Sequence, residues 1–157
     1  MSGGGAASPF TVDVNMDWSY AGGDNLMEEQ SGKDLLHYAL DQEGQTGPWE
    51  IAIRFVGDAE MCKLHLTFMG DPTPTDILTF PYDEDDGSQG GDIVISVDTA
   101  MRNASEAAWE ARDELRFLML HGLLHIVGWD DQEDAARSAM LARQHALLLG
   151  WELSGSS

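Results

Sequence analysis

The segment His121–Asp131, which reads HGLLHIVGWDD, restricts the fold more than any other part of the chain. His121 and His125 lie four residues apart in a strongly apolar run, so on a helix they share one face, with Cβ atoms about 5–6 Å apart. Two imidazoles placed in this way can bind one metal ion. Gly128 is the residue type that most readily adopts a positive φ and ends a helix. The chain can then turn back and bring Asp131 to the same ion, and three protein ligands with a fourth, open position are typical of catalytic zinc.

The spacing also matches a peptidase motif, with one difference. His-x-x-x-His-x-x-Gly-x-x-Asp mirrors the zinc-binding pattern of metzincin peptidases, which carry a glutamate directly after the first histidine as general base. Gly122 occupies that position here, which argues against a peptidase. Because glycine lowers helix propensity by about 1 kcal/mol relative to alanine, Gly122 indicates the close approach of another backbone or of a substrate. The alternative to a metal site is that both histidines are core residues with hydrogen-bond partners.

The length and composition are those of one folded domain. A chain of 157 residues with 43% hydrophobic residues can bury a substantial core. We predict a single domain over residues 9–152, with flexible tails at 1–8 and 153–157. No apolar stretch approaches the roughly 20 residues of a membrane helix, and the N-terminal segment lacks the basic and apolar parts of a signal peptide. Cys62 is the only cysteine, so we expect no intramolecular disulfide. Together these features predict a cytoplasmic location and no membrane partner.

The charge balance is strongly acidic, with 28 acidic against 8 basic residues and a formal net charge of −20. Such a chain repels itself at low salt, and the repulsion destabilises the compact state. At molar salt the Debye length falls to about 3 Å, and most of the repulsion disappears. We interpret the sequence as a folded, halophilic-type protein adapted to a salt-rich cytoplasm. Its net charge therefore does not exclude a nucleic-acid substrate.

Hydrophobic periodicity predicts strands early in the chain and most of the helices late. The strands are predicted at Phe10–Asn15, Trp49–Val56, Thr75–Phe80 and Asp92–Val97, the last two pairing antiparallel. A short helix begins at Gly57 and Asp58, with Asp58 as its N-cap, and ends at Gly70. Longer helices are predicted at about Ser31–Asp41, Thr99–Trp109, Glu110–Val127 and Gln132–Leu149, the last ended by Gly150. This order predicts an α+β domain with a single mixed β-sheet of about four strands covered by helices.

Other polar residues are interpreted as structural. The acidic loop Tyr82–Gly91 reads as a solvated loop, with a second metal site as the alternative. Asp76 and Asp92 read as strand-end residues that make structural hydrogen bonds. Three further side chains have no partner at ligand spacing: Cys62, His65 and His145.

Three motifs together resemble the YbeY family of ribosomal RNA maturation endoribonucleases. They are TDILTFPY at 75–82, GDIVISVD at 91–98 and HGLLHIVGWDD at 121–131, and the similarity extends from about residue 49 to residue 150. The resemblance implies a zincin-like fold whose helix binds one zinc or other divalent ion per chain through His121, His125 and the residue at 131. It also implies action on single-stranded RNA in small-subunit ribosomal RNA maturation and ribosome quality control. The small ribosomal subunit and its assembly factors are the implied partners.

The chain departs from the family pattern at two positions. The usual third ligand of the family is histidine, whereas this chain has Asp131, and a carboxylate oxygen is an ordinary zinc ligand. The family commonly has arginine, a natural phosphate clamp, where this chain has Met69. Four other arginines are candidates for supplying a positive charge instead: Arg54, Arg102, Arg112 and Arg116.

These observations predict metal-assisted hydrolysis of a phosphodiester bond. Asp130, next to the third ligand, is the candidate for orienting the attacking water, and its alternative role is to start the last helix. Two other functions remain open. One is a non-catalytic ribosome-assembly factor with a structural metal, which Met69 favours. The other is a divergent zinc hydrolase acting on peptides or small molecules, against which Gly122 argues.

Overall fold

The computed structural model describes residues 9–83, 85 and 87–155. The predicted tail 1–8, residues 156 and 157, and Glu84 and Asp86 of the acidic loop lie outside the described residues. The strands are β1 (Thr11–Trp18), β2 (Pro48–Val56), β3 (Ile77–Pro81) and β4 (Gly90–Ser96). The α-helices are α1 (Glu29–Gln42), α2 (Asp58–Met69), α3 (Val97–Ala107), α4 (Ala111–Ile126) and α5 (Asp134–Leu153). A 3-10 turn at Gly23–Asn25 precedes α1.

The four strands form one mixed sheet in the order β1-β2-β4-β3. β2 pairs in parallel with both β1 and β4, while β3 pairs antiparallel with β4, as the short connection between them predicted. Parallel neighbours need long crossovers, and α1 lies in the crossover from β1 to β2. The predicted α+β class and mixed four-stranded sheet are confirmed.

The main core lies between one face of the sheet and helices α1, α4 and α5. Strand side chains alternate between faces, so Ile93 and Ile95 of β4 join this core while Val94 points to the other side. On that other side α2 covers a smaller cluster in which Met61 packs with Val56, Leu78 and Val94. His121 and His125 belong to α4, whose buried face packs against the main core. None of the described helices is long and apolar enough to cross a membrane.

The predicted end of β1 is wrong, because tertiary pairing extends the strand. The sequence predicts a strand that ends at Asn15, but Asp17 and Trp18 pair with Arg54 and Phe55 of β2. The Trp18 ring also stacks on Phe55, with centroids 3.8 Å apart and planes 8° from parallel. This ring stacking adds to the strand pairing at the end of β1.

Two predicted helix ends are also wrong. Asp58 is the first residue of α2 rather than its N-cap, which is Gly57. The backbone N–H of Asp58 instead donates to the carboxylate of Asp98 at 2.9 Å, so α3 supplies the capping acceptor from a distance of forty residues in the chain. At the other end of the molecule α5 continues through Gly150 to Leu153, so the predicted tail at 153 begins inside the helix. Glycine at 150 leaves room for the Tyr38 hydroxyl, which would have to move if a Cβ were present.

The acidic loop between β3 and β4 has the character of a solvated turn. Asp83 and Asp85 are both exposed, and the Asp83 carboxylate accepts from the backbone N–H of Asp85 at 2.9 Å. Within the described part of the chain, no metal-binding group of side chains occurs in this loop.

Candidate metal centre

The last turn of α4 carries both histidines and ends in a left-handed glycine. Gly128 has a φ of +113°. Its N–H donates to the carbonyl of His125 at 3.1 Å, and the N–H of Trp129 donates to the carbonyl of Leu124 at 2.9 Å. This pair of bonds is the Schellman motif, in which an αL residue reverses the chain after a helix. The predicted reversal at Gly128 is therefore present, and it returns the chain toward the histidines.

The reversal brings Asp131 against both imidazoles. Its Oδ2 lies 3.5 Å from Nε2 of His121 and 3.3 Å from Nε2 of His125. The ligand atoms of the three side chains all lie within 4.8 Å of one another. Charge-assisted N–H···O bonds are shorter, about 2.7–2.9 Å. Zinc bonds of about 2.0–2.1 Å at tetrahedral angles place neighbouring ligand atoms about 3.3–3.4 Å apart, so the two separations fit a shared ion better than a pair of direct hydrogen bonds.

The cluster is partly open to solvent. The side chains of His121, His125 and Asp131 are 20%, 25% and 32% exposed. A fully enclosed structural site would bury all of its ligands, whereas a catalytic site keeps one coordination position accessible. The donor set and its exposure therefore fit a divalent ion with room for water or substrate.

A buried carboxylate attaches the ligand loop to two helices. Oε1 of Glu43 accepts from the Trp129 indole N–H at 2.7 Å, and its Oε2 accepts from Nε of Arg143 at 2.6 Å. Glu43 follows α1, Trp129 lies in the loop before Asp131, and Arg143 belongs to α5. The Glu43 side chain is 9% exposed and that of Arg143 is 32% exposed, so this ion pair is partly shielded from solvent. The loop that carries the third ligand is therefore held from two sides.

Gln144 of α5 contacts the first histidine directly. Its Oε1 lies 3.0 Å from Nδ1 of His121, and its Nε2 donates to the carbonyl of Phe117 at 3.2 Å. The sequence interpretation did not assign Gln144 a role. The sequence feature that points to a role for Gln144 is its position as a single amide in the apolar stripe of α5. The neighbours in that stripe are Met140, Leu147, Leu148 and Trp151.

Gly122 is explained by packing against the sheet. A Cβ at this position would lie 2.9–3.1 Å from three side-chain atoms of Ile93 in β4. The close approach that its presence predicted is real, but the neighbour is a core side chain rather than another backbone or a substrate. Glycine therefore lets α4 sit close to the sheet, directly beside the first histidine.

Two further carboxylates lie near α4. Asp76 precedes β3, and burial raises its pKa while the nearby His121 lowers it. Glu114 of α4 is buried, and burial raises its pKa, although hydrogen bonds from Asn103 and Trp109 oppose that effect. The Asp76 charge also raises the pKa of Glu114. Asp76, expected to be a structural strand-end residue, is therefore a half-buried carboxylate near the candidate ligand His121.

The other candidate residues lie outside the cluster. Asp130 is exposed, and its Oδ1 accepts from the backbone N–H of Gln132 at 3.1 Å. The alternative role of starting the last helix is wrong, because α5 begins at Asp134 with Glu133 as its N-cap. Asp92 accepts from the Tyr82 hydroxyl at 2.9 Å. His65 bonds through Nδ1 to the carbonyl of Thr73 at 2.6 Å. These contacts agree with the structural interpretation of Asp92 and His65.

No described contact joins any of the four candidate arginines to the cluster of His121, His125 and Asp131. Arg102 pairs with Asp58 at 2.9 Å, Arg112 pairs with Glu110 at 2.9 Å, and Arg54 lies 3.9 Å from Asp17. Arg116 is buried, donates to Ser31 and lies over the Trp151 ring. Met69, at the end of α2, is 58% exposed. The positive charge that the family arginine would provide has no replacement among these contacts.

Comparison with known proteins places the chain in one family. The family model described as Endoribonuclease YbeY matches residues 22–152. Endoribonuclease YbeY of Synechococcus sp. (strain RCC307) is 36% identical over 150 residues, which cover 87% of this chain and 94% of the relative. The Thermobifida fusca protein of the same name is 35% identical over 136 residues, covering 81% of this chain and 88% of the relative. The solution structure of TM1509 from Thermotoga maritima superposes with a TM-score of 0.63 at 26% identity, covering 91% of this chain and 94% of that one. With relatives that match most of its length and a family model that spans three of the four strands and the histidine helix, the chain belongs to the YbeY endoribonuclease family.

Proposed function

We propose that this protein is a metal-dependent, single-strand-specific endoribonuclease that acts in small-subunit ribosomal RNA maturation and ribosome quality control. Its ion would be zinc, one per chain, bound by His121, His125 and Asp131. Its partners would be single-stranded ribosomal RNA, the small ribosomal subunit and associated assembly factors, in the cytoplasm. The observation that carries the proposal is the pair of 3.5 and 3.3 Å separations between Asp131 and the two imidazoles, found in a chain of this family.

The chemistry follows from the donor set. A zinc ion held there would lower the pKa of a coordinated water toward 7 and polarise a phosphoryl oxygen. The two neutral imidazoles and one carboxylate supply a single negative charge. The half-buried side chains leave one side of the cluster to solvent, where a phosphodiester group can approach.

Two carboxylates are candidates for orienting the attacking water. Asp130 adjoins the third ligand but is exposed and already accepts from the backbone of Gln132. Asp76 is half-buried and lies near His121. Comparing Asp130→Asn with Asp76→Asn separates the two roles. The variant that loses cleavage while it keeps its zinc identifies the orienting residue, and cleavage unchanged in both would exclude both.

The main experiment measures cleavage of an end-labelled single-stranded RNA at molar potassium chloride. We expect cleavage by the purified protein, its loss on chelation and its return with added zinc. The double variant His121→Ala/His125→Ala should cleave nothing and bind no zinc. A control that replaces two exposed histidines, His37→Ala/His145→Ala, should behave like the unaltered protein.

Three outcomes would contradict the proposal. Cleavage that persists in the His121→Ala/His125→Ala variant would assign the activity elsewhere. Equal cleavage of a fully paired duplex would remove the single-strand specificity. Zinc binding without RNA cleavage would favour the second candidate, a ribosome-assembly factor in which the metal joins α4 to its return loop. The exposed Met69, standing where the family commonly has arginine, is the specific observation that favours this second candidate.

A further inference from the structure

Gln144 is a polar side chain in an otherwise apolar interface. It is 1% exposed and lies among Met140, Leu147, Leu148 and Trp151 on the buried face of α5. Burial of an amide without hydrogen bonds would cost several kcal/mol. Both ends of this amide are bonded, one to the carbonyl of Phe117 and the other to the His121 ring. The position of Gln144 is therefore determined on both sides by α4.

The Phe117 carbonyl determines which end of the amide faces His121. A carbonyl oxygen only accepts hydrogen bonds, so it must face the NH₂ group of Gln144, at 3.2 Å. The amide oxygen of Gln144 then points to Nδ1 of His121, at 3.0 Å. Because that oxygen also only accepts, Nδ1 must carry the proton. The backbone of α4 thus orients Gln144, and Gln144 orients the ring.

Protonation at Nδ1 leaves the lone pair of a neutral imidazole on Nε2. Nε2 is the atom of His121 that lies 3.5 Å from Oδ2 of Asp131, within the cluster. A free neutral histidine in water favours the opposite tautomer, with the proton on Nε2. In that tautomer Nε2 has no free lone pair and cannot bind a metal. We propose that Gln144 is a positioning residue that selects the metal-binding tautomer of His121. This inference rests on the ligand set proposed above.

The choice of an amide suits the charge of this site. Metal-binding histidines generally donate their second ring N–H to a carboxylate, a carbonyl or water. Here Asp131 already places a negative charge among the ligands, and the carboxylate of Asp76 lies near His121. An amide accepts the same hydrogen bond without adding a further charge to the buried interface between α4 and α5. Gln144 therefore orients the ring at no additional electrostatic cost.

The first measurement is made on metal-free protein and needs no activity. Two-bond ¹H–¹⁵N correlation spectra of ¹⁵N-histidine protein at about pH 8.5, where imidazoles are neutral, report the tautomer of each ring. We expect His121 in the Nδ1–H form. In Gln144→Leu the Nε2–H form of His121 should become the major one. An Nε2–H tautomer in the unaltered protein would overturn the inference without any variant.

The second measurement is zinc affinity by competition with a chelating dye. Loss of a hydrogen bond from outside the ligand set typically weakens metal binding 10- to 100-fold, and we expect a loss in that range for Gln144→Leu. Gln144→Glu still accepts from Nδ1 but cannot donate to the Phe117 carbonyl. It should keep the Nδ1–H tautomer and bind zinc more tightly than Gln144→Leu. The matched control is Gln89→Leu, which removes bonds to the carbonyls of Thr46 and Pro48 but touches no proposed ligand. Its zinc affinity should be unchanged.

The two measurements separate this inference from the proposed function. Wild-type affinity in Gln144→Leu, or weaker affinity with the tautomer unchanged, would overturn the role of Gln144 while leaving the zinc site intact. A wild-type protein that binds no zinc would overturn the proposed function, and the tautomer of His121 would still decide the role of Gln144. If Gln144→Leu does not fold, the wild-type spectrum and the Gln144→Glu variant still test the role of Gln144.

Discussion

Asp131 determines the charge of the proposed metal site. It stands where the family usually has histidine, and its Oδ2 lies almost equally far from the two imidazole nitrogens. A carboxylate in place of an imidazole changes the ligand set from neutral to singly negative. An ion bound here would therefore keep less of its positive charge for a phosphate than an ion held by three histidines.

Replacing Asp131 tests whether it is a ligand. Asp131→Ala should weaken zinc binding by more than about 100-fold, because the loss of a ligand exceeds the 10- to 100-fold effect of a group outside the ligand set. Asp131→His should keep tight binding, because imidazole is an ordinary zinc ligand. Zinc titrations of the three proteins at one pH and one salt concentration make the comparison. Unchanged affinity in Asp131→Ala would leave a two-histidine cluster and remove the main support for catalysis.

Gly122 offers a second test at the scale of one residue. A methyl group there would press on Ile93, whose atoms lie 2.9–3.1 Å from the expected Cβ position. We expect Gly122→Ala to lower the free energy of unfolding by about 1–3 kcal/mol, the usual effect of overpacking, in spite of the better helix propensity of alanine. Chemical denaturation measures the loss.

A double-mutant cycle provides the control for Gly122. Ile93→Val removes the side-chain atom nearest to the new methyl group, at 2.9 Å. The combined variant Gly122→Ala/Ile93→Val should therefore be more stable than the sum of the two single changes predicts. A Gly122→Ala protein as stable as the original, or strictly additive effects, would show that the contact does not limit the approach of α4.

At the scale of the element, α4 contains a buried acid, Glu114, that lowers the stability of the folded protein at neutral pH. Burial raises the pKa of Glu114 above its ordinary value of 4.5. A group whose pKa is higher in the folded state stabilises the fold most below its unfolded pKa. That contribution is lost as the pH rises through the folded pKa. Ionised Glu114 is therefore a cost that the hydrogen bonds from Asn103 and Trp109 only partly offset.

Glu114→Gln should remove this pH dependence. A glutamine oxygen can still accept from the Trp109 indole N–H, and no charge is buried. The stability that the variant gains over the unaltered protein should be larger at about pH 7 than at about pH 4. Melting temperatures of both proteins across this range measure the difference, and a difference independent of pH would contradict the burial argument.

Asp58, at the start of α2, supplies the control with the opposite sign. Burial raises its pKa, but hydrogen bonds from Ser96, Thr99 and Arg102 together outweigh burial and lower the pKa below its ordinary value of 3.8. Its stabilising contribution is present above that value and is lost as the pH falls through the folded pKa. Asp58→Asn should therefore destabilise the protein at about pH 7, and the deficit should shrink below about pH 4.

At the scale of the whole molecule, the acidic surface controls stability. A formal net charge of −20 on 157 residues produces self-repulsion that molar salt screens. We expect the melting temperature to rise by roughly 5 °C or more between low and molar potassium chloride, the shift that about 2 kcal/mol produces in a domain of this size. Thermal unfolding followed by circular dichroism measures it.

A charge-reduced variant provides the control for the salt effect. Asp13→Asn/Asp41→Asn/Glu106→Gln neutralises three exposed carboxylates and should show a smaller salt-dependent rise. A melting temperature that is flat across the salt range, or an equal rise in this variant, would contradict adaptation through net charge.

The sequence by itself determined the parts of the protein that depend on neighbouring residues. The spacing of His121 and His125 placed two imidazoles on one helix face, and Gly128 predicted the reversal that returns Asp131. Helix geometry and the φ preference of glycine act over a few residues, so eleven consecutive letters were enough to predict the candidate cluster. The alternating strands and the short β3–β4 connection likewise predicted a mixed sheet.

Tertiary structure alone decided the contacts between elements that are distant in the chain. Gln144 reaches His121 from 23 residues away, and Glu43 holds Trp129 from 86 residues away. Packing also favours glycine at 122, where three side-chain atoms of Ile93 lie within 3.1 Å of the expected Cβ position. Sequence periodicity states which face of a helix is buried but not which residue of another element lies opposite. The order of the strands and the docking of α4 and α5 set those pairs, and with them the orientation of the ligands.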